Sequence, residues 1–112
     1  MSLRNEQSKF AEDVGELISW CFFNGYEITF GEALRTKEQQ KIYFDNKKSN
    51  TMESNHLVKL AIDMNFFIKG ELTYDKKDLQ QVGDFWESLD EKNRWGGNFK
   101  SILDTPHFER NL

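Results

Sequence analysis

From Leu60 to Ile68 the residues alternate as a β-strand does, and the alternation places an acid on one of the two faces. Leu60, Ile62 and Met64 fall on one side, and Ala61, Asp63 and Asn65 on the other. A carboxylate at Asp63 must be solvated, hydrogen-bonded or bound to a metal, because burying it without a partner is costly. Around this strand the chain alternates between helical and extended patterns. Phe10, Val14, Leu17, Ile18, Cys21 and Phe22 recur at helical spacing, and Asn24-Gly25 closes that helix. Tyr26 to Phe30 alternates as a second strand. Thr36 and Gln39 form a capping box for a second helix, with Ile42 and Tyr43 as its buried positions. Residues 46 to 55 are polar and aperiodic, a surface loop. Lys69-Gly70 is a turn, with Glu71 to Tyr74 as the return strand. Leu79, Val82, Phe85, Trp86 and Leu89 mark a third amphipathic helix, capped by Asp75 or Asp78. After Asn93 the chain reads mostly as loop, with a short extended piece at His107-Phe108-Glu109. This order predicts an α+β fold, a small, mainly antiparallel sheet flanked by helices. A length of 112 residues predicts one domain spanning 1–112.

Composition excludes several classes of function. Fifteen basic residues against nineteen acidic ones leave a formal charge of -4, which argues against nucleic acid as a partner. The densest basic stretch, Lys41 to Lys48, is diluted by Asp45 and reads as a solvated helix face. The single cysteine, Cys21, cannot form an intramolecular disulfide and sits in an apolar stripe as a small core residue. No apolar run approaches membrane-spanning length, and no charged-then-apolar leader opens the chain. The expectation is synthesis in the cytoplasm without a signal peptide and without membrane insertion.

Chemistry concentrates around the two histidines. His56 is followed seven residues later by Asp63, and His107 is preceded three residues earlier by Asp104, within Asp104-Thr-Pro-His-Phe-Glu109. A catalytic zinc usually takes three protein ligands and leaves a position open. Two histidines and Asp63 meet that requirement, and Asp104 is placed to act as a base beside the metal. Spacing alone leaves the ordinary alternatives standing: surface or core histidines, a solvated Asp63, and an Asp104 that caps the turn before Pro106.

Ser54-x-His56-x-x-x-x-Ala61-x-Asp63, followed late in the chain by Asp104-x-x-His107, resembles the signature of the zinc D,D-carboxypeptidase and L-alanyl-D-glutamate endopeptidase family. Many phage endolysins belong to that family, and it shares its fold with the Hedgehog signalling domain. The resemblance runs from near Tyr26 through Arg35-Thr-Lys-Glu-Gln39, Trp86-Glu-Ser-Leu89 and Trp95-Gly-Gly-Asn-Phe99 to the final motif. It implies that His56, Asp63 and His107 bind Zn2+ and that Asp104 is the catalytic acid/base. It also implies that Arg35 faces the substrate or the developing oxyanion, a task suited to a permanently charged, multiply donating guanidinium, with a surface ion pair to Glu32 or Glu38 as the other reading of that residue. Gln39 and Ser54 would line the substrate side. Trp95 is carried as a substrate contact, with a packed core turn as the other reading of Trp95-Gly96-Gly97.

One position departs from the pattern. The family has glycine where this chain has Lys59. Glycine suits a left-handed backbone, so lysine implies either a turn of ordinary conformation or a decayed motif. All three ligands and the base are kept, and the resemblance therefore implies an active peptidase. Its substrate would be the stem peptide of peptidoglycan. The alternatives are a D-alanyl-D-alanine carboxypeptidase or dipeptidase, and a noncatalytic module that binds zinc or muropeptide. A small monomer without a leader or wall-binding module fits a phage or prophage lysin that reaches the wall with the help of a holin.

Overall fold

The computed structural model describes residues 2–33, 38, 41, 45 and 55–112, without the side chains of His56 and Leu57. Helix α1 (Leu3–Phe23) starts at Ser2, whose side chain accepts from the Asn5 N–H, and stops at Asn24. Gly25 follows in the left-handed region. Strand β1 (Tyr26–Phe30) comes next. Glu38, Lys41 and Asp45 have helical backbone. The capping box at Thr36 and Gln39 lies outside the described residues, as does all but Asn55 of the expected 46–55 loop. A short 3-10 turn (Asn55–Val58) leads into β2 (Ala61–Ile68). Strand β3 (Glu71–Thr73) returns after Lys69-Gly70, both at positive φ as a two-residue hairpin turn requires. Helix α2 (Lys76–Leu89) is capped by Asp75, which accepts from the Lys77 N–H. Strands β4 (Asn93–Trp95) and β5 (His107–Arg110) complete the set.

The sheet order is β1-β2-β5-β4, with β3 also paired to β2, and every pairing is antiparallel. Ile62, Met64, Phe66 and Phe108 join Phe10, Leu17 and Cys21 of α1 and Leu79, Val82 and Trp86 of α2 in one buried cluster. The two helices therefore cover the face that carries Ile62 and Met64, and Asp63 is left on the opposite face. Trp86 sits at the centre, edge-on to Phe10 and Phe108. Its indole N–H donates to the carbonyls of Arg94 and Glu109. Burial pushes the Cys21 thiol up to about 12, in keeping with a core residue.

Two sequence expectations need correction. Most of the stretch after Asn93 is loop or turn as expected, but Asn93–Trp95 was not expected as a strand, and it pairs with β5. A strand of three residues is too short to show a period on its own. The turn at Lys59 does not have an ordinary conformation either, since its φ is 60°. The Leu60 N–H reaches back to the Asn55 carbonyl at 2.9 Å, which closes a helix-end motif with its left-handed residue at Lys59. The backbone geometry that glycine serves is thus kept with a lysine in place.

Helix α1 also buries two acids. Glu6 takes Lys92 at 2.8 Å and the Arg110 Nε at 2.7 Å. Asp13 takes Lys9 at 2.7 Å and the Asn93 amide at 3.0 Å. These pairs tie α1 to the segment before β4 and to the end of β5. They satisfy charges that would otherwise be costly to bury.

Candidate metal centre

Register brings the site together. Asp63 of β2 stands directly opposite His107 of β5. The backbone of Asp63 is engaged on the other edge, where its N–H donates to the Glu32 carbonyl at 2.7 Å and its carbonyl accepts from Gly31 at 2.8 Å. Toward β5, the Met64 N–H bonds the Pro106 carbonyl at 2.9 Å. Asp63 and His107 are therefore a non-hydrogen-bonded pair, the kind in which facing side chains approach most closely. The His107 Nδ1 lies 3.3 Å from the Asp63 Oδ1.

Asp104 joins them through a tight turn. The His107 N–H bonds the Asp104 carbonyl at 3.1 Å, and the Asp104 N–H bonds the Gly96 carbonyl at 3.0 Å. Gly96 is buried beneath this turn, and a Cβ there would collide with the Asp104 carbonyl and the His107 Cβ. The glycine of the Trp-Gly-Gly run thus permits the close approach that aims Asp104. Among the described residues, ligand atoms of Asp63, Asp104 and His107 all lie within 4.8 Å of one another.

The far side of His107 is equally well defined. Its Nε2 lies 2.7 Å from the Glu109 Oε1, and both groups are buried. Arg94, across the β4–β5 pairing, places its Nε and a terminal nitrogen on the Glu109 Oε2 at 3.0 and 2.6 Å. Burial works to lower the pKa of His107, but its hydrogen bonds to Asp63 and Glu109 outweigh this and raise it to about 9. Burial would raise the Glu109 carboxyl, yet His107 and Arg94 hold it below the usual carboxylate value.

Of the residues singled out from the sequence, Asp63, Asp104 and His107 converge. His56 lies in the 3-10 turn just before β2, and its side chain lies outside the described residues, as do Arg35, Gln39 and Ser54. Trp95, carried from the sequence as a substrate contact, is turned away from the centre. Its register with Phe108 turns it to the helix side, where it is fully buried, with its indole N–H on the Thr105 carbonyl at 2.8 Å. Gly83 of α2 makes room for its ring. The neighbour that faces the site is Arg94. Glu109 and Arg94 were not legible as site residues. Glu109 follows His107 by two along an extended segment, which puts both on one face, and that period was the available signal.

Two carboxylates and an imidazole nitrogen converging at the polar face of an α+β sheet define a candidate metallohydrolase centre. The chain belongs to a peptidase family described as D-alanyl-D-alanine carboxypeptidase, whose profile matches residues 47–110. It is also similar to an L-alanyl-D-glutamate peptidase of Listeria phage A118, 33% identical over 100 residues, which are 86% of this chain and 34% of the relative. The chain spans about a third of that curated relative's length. The fold matches the crystal structure of the L-Ala D-Glu endopeptidase ChiX of Serratia marcescens with a TM-score of 0.78 and 20% identity. That match covers 97% of this chain and 83% of the other.

Proposed function

We propose that this protein is a zinc-dependent peptidase that cuts the stem peptide of peptidoglycan between L-alanine and D-glutamate. The observation that carries this reading is the convergence of Asp63, Asp104 and His107 within 4.8 Å. The activity named for the phage relative supports the choice of bond. The donor set suits zinc: nitrogen and oxygen ligands, with an aspartate and a histidine from adjacent strands. Asp63 and His107 would hold the ion together with His56, the third ligand implied by the motif. Bound there, zinc would polarise the scissile carbonyl and make water a better nucleophile.

The residues of the chain do the rest. The Asp104 carboxylate takes a proton from the attacking water and delivers it to the leaving amine. Its aim is set by the turn held against Gly96. Arg35 donates to the developing oxyanion, and Gln39 and Ser54 contact the peptide. This domain acts as a monomer on the cell wall, with a holin as its route there. No helix among the described residues is long and apolar enough to cross a membrane.

A second reading, D-alanyl-D-alanine carboxypeptidase, is favoured by the description of the matching family. Mass spectrometry of purified peptidoglycan fragments, with and without a strong chelator, separates the two. Chelator-sensitive cleavage at L-alanyl-D-glutamate is expected, whereas release of terminal D-alanine would select the second reading. Asp104→Ala should abolish turnover while zinc stays bound. Failure of zinc-loaded protein to cleave any wall type would leave a noncatalytic binding module.

A further inference from the structure

Glu109 divides its two oxygens between two partners. Oε2 receives both Arg94 nitrogens, and Oε1 is left to the His107 Nε2. Phe99 braces the same assembly. Its ring centroid is 5.5 Å from that of His107, and the Arg94 guanidinium carbon lies 5.3 Å over it. An ionised carboxylate only accepts hydrogen bonds, so an imidazole nitrogen at 2.7 Å from it must carry the proton. In the neutral ring this leaves the lone pair on Nδ1, the nitrogen that faces Asp63.

We infer that Glu109, anchored by Arg94, is the positioning residue that fixes the His107 tautomer and ring orientation, so that Nδ1 is presented to the cation of the Asp63–Asp104–His107 centre. The inference rests on the metal reading of that centre. It extends the site by two residues, Glu109 and Arg94, that face each other across the β4–β5 pairing. A carboxylate behind a ligating histidine raises its basicity and holds its orientation, and losing such a group typically weakens metal binding by roughly 10–100-fold. Arg94 acts one step further out. Without it the carboxylate can turn, but its bond to His107 survives, so the loss should be smaller.

The test is zinc affinity, measured by competition with a chromogenic chelator, for the wild type, Glu109→Gln, Glu109→Ala, Arg94→Gln and the Glu109→Ala/Arg94→Gln double variant. Folding is checked by circular dichroism. Glu109→Ala should bind zinc roughly 10–100-fold more weakly, with Glu109→Gln between it and the wild type. The double variant should be no worse than Glu109→Ala, because Arg94 works through Glu109. A purely structural role would leave the tautomer unmoved, so 15N NMR of the neutral His107 ring is the second readout. The Nε2–H form should dominate in the wild type and lose its preference in Glu109→Ala. Wild-type zinc affinity in folded Glu109→Ala, with affinity lost in His107→Ala, would overturn the inference and leave the metal reading intact. Absence of zinc binding by the wild type would overturn both.

Discussion

Replacing Lys59 with glycine should stabilise this protein. Lys59 holds a φ of 60° at the end of the turn that carries His56, one residue before the buried Leu60. An L-residue in the left-handed region costs roughly 1–2 kcal/mol through the approach of Cβ to the following carbonyl. Glycine avoids that cost but loses more chain entropy on folding, roughly 0.5–1 kcal/mol. The balance favours glycine by about 0.5–1 kcal/mol, since the exposed lysine side chain adds little packing to lose. For a domain near 100 residues this is a rise in Tm of roughly 2–8 °C. Thermal unfolding of chelated wild type and Lys59→Gly, followed by circular dichroism, measures it. Lys69, at a φ of 52° in the hairpin turn, is the internal control, and Lys69→Gly should move Tm in the same direction. A lower Tm for Lys59→Gly beside a higher one for Lys69→Gly would refute the strain argument. It would mean that the lysine side chain contributes more than its backbone costs. Zinc affinity should be unchanged by Lys59→Gly, because the turn already has the glycine-like geometry.

Other consequences follow from the same structure. Gly96→Ala places a methyl group against the Asp104 carbonyl and the His107 Cβ. It should cost roughly 1–3 kcal/mol in urea unfolding and reduce activity beyond what that loss explains, because Asp104 is displaced. Trp95→Phe removes the donor to Thr105 and should destabilise by roughly 1–3 kcal/mol while leaving KM unchanged, since the ring faces the helices. The third consequence concerns pH. His107 is raised from 6.5 to about 9, so its protonated form stabilises the metal-free fold fully below pH 6.5. That contribution fades as pH rises through about 9, and the Tm of chelated protein should fall across this window. Zinc must displace the same proton, so its affinity should rise with pH up to about 9, and calorimetry in buffers of different ionisation enthalpy should detect the release.

Local pattern was enough for the elements whose period repeats. The stripe on α1, the alternation of β2, the Lys69-Gly70 turn and the face of α2 are each set by neighbours within a few residues, and all four were legible. Asp63, Asp104 and His107 were singled out by the family resemblance, since spacing alone left ordinary alternatives open, and the fold brings the three together. The cap at Thr36 and the positions of Arg35, Gln39, Ser54 and the His56 side chain lie outside the described residues, although Glu38, Lys41 and Asp45 have helical backbone.

Tertiary structure decided what depends on pairing between distant segments. Strand β4 was missed because three residues show no period until β5 lies beside them. The same pairing sent Trp95 to the helix side and Arg94 to the site side, and no spacing within Trp95-Gly96-Gly97 announces which way a strand turns. Glu109 became part of the centre only when antiparallel register brought Arg94 across to it and left its other oxygen for His107. The residue types along the chain thus determined which chemistry was available. Strand register, a property of two segments at once, determined which of those groups meet.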